Sequence, residues 1–199
     1  MGMNISAGNG SIQRKIPNIL TMLRIIIIPI LVASFYTDKL FPSIDVQIAH
    51  WIAAGLFAAA GITDFFDGYL ARAWKVQSAM GKFLDPIADK LLVVTAIVML
   101  LHFDRAHLTP ALLILWREIM VSGLREYLGQ LNISVPVSKL AKFKTGFQML
   151  AIFLLILGTE GSGEEFTKMA GNAALWLAAA LTVITGYAYM KAGLKHIDE

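Results

Sequence analysis

Residues 62–72 read Ile62-Thr63-Asp64-Phe65-Phe66-Asp67-Gly68-Tyr69-Leu70-Ala71-Arg72, and residues 81–90 read Gly81-Lys82-Phe83-Leu84-Asp85-Pro86-Ile87-Ala88-Asp89-Lys90. A long apolar run precedes the first stretch and another follows the second, so four carboxylates fall where two consecutive helices meet. Asp64 and Asp67 are three apart and Asp85 and Asp89 four apart, which puts each pair on one helical face. Two antiparallel helices joined by a short turn at Ala73–Ala79 would bring those faces together as one oxygen-rich cluster. One aspartate near a helix end is usually a cap or a solvated group. Four of them, with Gly68, Arg72 and Gly81, call for another explanation.

The rest of the chain says what surrounds this passage. Of 199 residues, 57% are hydrophobic, and the mean hydropathy of +0.65 lies above that of an ordinary soluble domain. Apolar runs long enough to cross a ~30 Å hydrocarbon core occur six times, at about Ile16–Tyr36, Gln47–Phe66, Phe83–Phe103, Leu108–Leu128, Phe143–Gly158 and Ala170–Met190. The expectation is an all-α integral membrane protein of six transmembrane helices. Residues 1–15 form a polar N-terminal segment, part of it reading as a cloning remnant, and residues 16–199 a single catalytic membrane domain. The N-terminus has no apolar stretch of the signal-peptide kind. Without cysteine, thiolate metal sites, disulfides and cysteine nucleophiles are excluded.

With both termini inside, fourteen of the 17 lysines and arginines fall on the inner side and only Lys39, Arg105 and Lys168 outside. This satisfies the positive-inside rule and predicts a multi-pass protein of the cell inner membrane with both termini and the aspartates cytoplasmic. Ionised side chains at such depth cost a few kcal/mol on insertion scales, which marks them as functional. Four close carboxylates repel one another unless they share cations, and hard oxygens suit Mg²⁺ or Mn²⁺, two ions nearly neutralising the set. Two-metal sites commonly serve phosphoryl-type displacements. Gly68 and Gly81 leave room for a phosphate to approach the backbone, and Arg72 offers a fork of donors to a diphosphate.

The complete pattern Asp64-x2-Asp67-Gly68-x2-Ala71-Arg72-x8-Gly81-x3-Asp85-x3-Asp89 resembles the signature of the CDP-alcohol phosphotransferases. That resemblance implies a six-helix fold with two metal ions facing the cytoplasm, usually in a homodimer. Carried over by position, Asp64, Asp67, Asp85 and Asp89 would hold metal, with Asp89 also the catalytic base. Asn18, Thr21, Gly68, Ala71, Arg72, Ser78 and Gly81 would meet the CDP-lipid. Outside the signature, Pro17–Arg24, Arg117-Glu118, Arg125-Glu126 and Val137–Thr145 are similar to the branch whose substrates are CDP-diacylglycerol and glycerol 3-phosphate.

A doubly negative acceptor needs cations. Arg117 and Arg125, eight apart on the fourth helix, and Lys142 and Lys144 at the start of the fifth, supply them on the inner side. Arg24, three residues after Thr21, joins this acceptor set. The competing role of such cations is topological or lipid-binding, and Glu118 and Glu126 are expected to pair with the arginines. The four histidines lack metal-ligand spacing and receive no chemistry. Inositol phosphate would satisfy the same charges. A divalent-cation transporter is the rival of another class, disfavoured because Leu91–Leu101 is apolar where an ion path would continue. Nucleic acid is not an expected partner.

Overall fold

The computed structural model describes residues 7–73, 79–131, 133 and 139–195. Their regular structure is helical: α1 (Ala7–Ser34), α2 (Thr37–Leu40), α3 (Val46–Ala73), α4 (Ala79–His102), α5 (Leu108–Gln130), α6 (Lys139–Ser162) and α7 (Glu165–Leu194). Several helices outrun their apolar spans. α1 starts nine residues before Ile16, and α3 continues past Phe66 through the charged passage. Backbone hydrogen bonding continues wherever residues tolerate a helix, whereas apolarity marks only the part suited to lipid.

The chain forms two compact units, divided between Ala96 and Ile97. In the first, α3 packs on α1 through Ala49, Ala53, Phe57 and Ala60, all buried. Their spacing of four, four and three makes a single face, and the small alanines let neighbouring backbones approach. Leu31 of α1 and Ala88, Leu92 and Ala96 of α4 are likewise buried.

In the second unit α7 packs on both α5 and α6. An added Cβ at Gly171 would meet Leu155 Cδ2 at 2.9 Å, at Gly186 it would meet Arg117 Cγ at 2.9 Å, and at Gly193 Leu124 Cδ2 at 2.8 Å. These close approaches fix the register: α5 and α7 run parallel, and α6 packs antiparallel to α7. α6 is interrupted at Gly158, whose φ of 58° and ψ of −167° leave the helical region. The expected fifth span ends at this residue. Only Gly163 and Glu164 separate α6 from α7, with Gly163 at φ 75°, a conformation glycine adopts without a Cβ penalty.

Among the described residues, three helices are long and apolar enough to cross a membrane, over Val46–Asp64, Leu140–Ser162 and Glu165–Leu194, and a shorter apolar stretch covers Ile19–Ser34. The count falls short of six for a physical reason. α4 carries Lys82, Asp85, Asp89 and Lys90, and α5 carries Arg117, Glu118, Arg125 and Glu126, so their charges dilute otherwise apolar helices. Large apolar side chains nevertheless face outward on every long helix, among them Ile26, Trp51, Phe83, Ile119, Phe143 and Tyr187. Exposure on this scale suits lipid and not water.

Candidate active site

In the first unit the carboxylates are organised by α1. Thr21 and Arg24 lie three apart on one face of that helix and are fully buried, at 1% and 0% exposure. Arg24 Nη1 lies 2.8 Å from Asp64 Oδ1 on α3 and 2.6 Å from Asp89 Oδ1 on α4. A single nitrogen therefore gathers oxygens from two helices. Thr21 Oγ1 donates to Asp85 Oδ1 at 2.5 Å. The carboxylates stay accessible, with Asp64 40% exposed and Asp89 45% exposed. Gly81, at the start of α4, is buried.

Arg24, expected on the acceptor, thus sits among the aspartates. Thr21, expected on the CDP-lipid, bonds Asp85. Ser78 lies outside the described residues, as do the side chains of Asn18, Asp67, Gly68, Ala71 and Arg72. The backbone places Asp67, Gly68, Ala71 and Arg72 on the last two turns of α3. Among the described residues no three acidic or histidine side chains are grouped closely enough to hold a metal ion. The donor chemistry still fits a divalent cation: hard oxygens of Asp64 and Asp89 converge on one positive group, the Arg24 guanidinium, which stands where like charges would otherwise repel.

The second unit holds a part-buried ionic cluster. Lys144 on α6, 3% exposed, donates to Glu118 Oε1 on α5, and Arg117 Nη1 reaches the same oxygen at 3.4 Å. Arg117 lies along the Gly186 backbone, which leaves no space for a side chain there. Arg125 stacks over Tyr189 of α7, 5.6 Å from the ring centroid, an arrangement that fixes the guanidinium against an aromatic face. Lys142 is exposed. Of the two glutamates expected to pair with arginine, Glu118 does so, while Glu126 has no ion pair among the described residues. Sequence reasoning passed over two buried polar residues of α6 and α7, Gln148 and Thr182. The signal available was a glutamine and a threonine inside apolar helices, where polar groups need a reason.

Apolar side chains outward on the long helices, carboxylates gathered on Arg24 and cations held between α5, α6 and α7 are the features of a membrane protein that keeps charge among its helices. The CDP-alcohol phosphatidyltransferase model matches residues 14–184, and the chain belongs to that family. It is 49% identical over 185 residues to the CDP-diacylglycerol–glycerol-3-phosphate 3-phosphatidyltransferase of Rickettsia felis, covering 93% of this chain and 98% of the relative. The protein of the same name from Rickettsia prowazekii is 50% identical over 181 residues, with 91% and 96% covered. That of Cereibacter sphaeroides is 40% identical over 223 aligned positions, with 93% and 98% covered.

Proposed function

We propose that the chain transfers the phosphatidyl group of CDP-diacylglycerol to glycerol 3-phosphate, giving phosphatidylglycerol phosphate and CMP. The observation that carries the chemistry is the convergence of Asp64 and Asp89 on Arg24, with Asp85 steadied by Thr21. Similarity at about half of all positions to proteins named for this substrate pair supports the acceptor, as does the part-buried Arg117–Glu118–Lys144 cluster.

In this reading Asp64, Asp67, Asp85 and Asp89 hold divalent cations, Mg²⁺ or Mn²⁺. Bound there, the cations would neutralise the diphosphate and stabilise charge on the entering and departing oxygens. Arg72, Gly68, Ala71, Ser78, Gly81, Asn18 and Thr21 belong to the CDP-lipid side. Asp89 takes the proton of the acceptor's primary hydroxyl as that oxygen bonds to the phosphorus bearing diacylglycerol. The bond from that phosphorus to the CMP oxygen breaks, and CMP departs as a phosphate monoester without a covalent enzyme intermediate. Arg117, Arg125, Lys142 and Lys144 serve the acceptor phosphate, to which arginine can bind bidentately. Arg24 acts as counter-charge to the carboxylates.

Six helices, α1 and α3 to α7, cross the inner membrane, a reading supported by outward apolar side chains on each. Both termini are cytoplasmic, and the family resemblance adds a homodimer. The test is CMP release by purified protein with CDP-diacylglycerol, Mg²⁺ or Mn²⁺, and each of glycerol 3-phosphate, inositol phosphate and serine. Release with glycerol 3-phosphate alone is expected. Release only with another acceptor would keep the chemistry and replace the substrate.

A further inference from the structure

Gly171 of α7 packs on Leu155 of α6. Thr182 stands eleven residues after Gly171, and Lys144 eleven before Leu155, which is about three turns and returns each residue to its starting face. On antiparallel helices Thr182 and Lys144 therefore share one level of the α6–α7 seam. Lys144 bonds Glu118 of α5, and Arg117 packs on Gly186, one turn beyond Thr182. Gln148 is one turn along α6 from Lys144. The three helices thus close around one buried polar layer, with Gln148 3% and Thr182 0% exposed.

Among the described residues three polar atoms of this layer find no hydrogen-bond partner: Arg117 Nε, Gln148 Oε1 and Thr182 Oγ1. Nearby threonines behave differently. Thr185 Oγ1 donates to Leu181 O at 2.7 Å, and Thr145 Oγ1 donates to Ala141 O at 3.1 Å, the usual way a helical threonine satisfies its hydroxyl. Away from water an unmet polar group costs several kcal/mol, so a site that keeps three of them suits a polar ligand. A phosphate would serve Arg117 but not Gln148 Oε1, because both oxygens only accept. A hydroxyl serves both remaining atoms, since it donates to Gln148 Oε1 and accepts from Thr182 Oγ1.

We propose that Gln148 and Thr182 bind the non-reacting hydroxyl of a polyol phosphate and so decide that the acceptor is a polyol. This deepens the acceptor reading above and rests on it.

The test compares glycerol 3-phosphate with 3-hydroxypropyl phosphate, which keeps the phosphate and a primary hydroxyl but lacks the secondary one. Wild-type protein should favour glycerol 3-phosphate on the order of 10²-fold or more in kcat/KM, because the analogue leaves buried polar groups unmet. Thr182→Val and Gln148→Met should each reduce the preference at least about tenfold, with the KM for CDP-diacylglycerol unchanged. Thr182→Ser, which keeps the hydroxyl, should retain the wild-type preference. If Thr182→Val does not accumulate in the membrane, Gln148→Met decides by the same ratio. An unchanged preference in the variants, or none in the wild type, overturns the assignment while leaving the acceptor intact. No CMP release by the wild type with either compound would instead remove the acceptor, and this assignment with it.

Discussion

At Arg24 a fully buried guanidinium holds two carboxylates that are themselves half open to solvent. Removing it leaves Asp64 and Asp89 facing each other without compensation. Arg24→Gln should destabilise the metal-free protein by about 3 kcal/mol, the low end for breaking a buried ionic contact because the acids can rehydrate. Added Mg²⁺ should restore much of that loss, and thermal unfolding in detergent with and without the ion reads both effects. Asp89→Asn should lower CMP release about 10²- to 10⁴-fold, the range general-base catalysis supplies. Near wild-type turnover would remove Asp89 from that role. Arg125→Ala should raise the KM for glycerol 3-phosphate far more than that for CDP-diacylglycerol, and equal effects would detach Arg125 from the acceptor. The aspartates were legible because charge at the end of an apolar run is costly, and their spacing fixes a face. Arg24's attachment to them was not legible, since its partners lie on other helices, distant in sequence. Thr182 escaped notice for a related reason: a threonine in an apolar helix ordinarily bonds its own backbone, as Thr185 does.

Among the elements, α7 depends most on small residues. Gly171→Ala would press a methyl group onto Leu155 and against Leu154 Cβ at 3.2 Å, and α6–α7 packing should weaken by roughly 1–3 kcal/mol. A lower unfolding temperature in detergent, with unchanged KM values in the remaining folded protein, is the expected result. The order and approximate placement of the helices could be read from apolar runs, because lipid-facing segments must be apolar over their whole width. Helix ends could not. α1 and α3 extend into polar sequence that helix hydrogen bonding tolerates, and α6 carries on to Ser162 beyond a glycine whose backbone breaks the ladder. Nor does apolarity alone establish all six crossings, since the charges that make α4 and α5 chemically interesting also lower their hydropathy.

On the scale of the whole molecule, the register of the second unit sorts charge by end. Because α5 and α7 are parallel and α6 antiparallel to both, Arg117, Arg125, Lys142, Lys144 and Lys191 gather toward one end, and Arg105, His107 and Lys168 toward the other. The positive-inside expectation from the sequence would put the first group on the inner side and the second on the outer. The absence of cysteine makes sidedness directly measurable. A cysteine introduced at Asp104 should react with a membrane-impermeant maleimide in intact cells, and one at Gln130 only after permeabilisation. The reverse pattern would invert the topology. The two-residue link between α6 and α7 also bears on biogenesis. Neither helix can reach across the bilayer far ahead of the other, so the pair is suited to enter lipid as a closed hairpin, with little polar chain to translocate beyond Gly163, Glu164 and the adjoining turns.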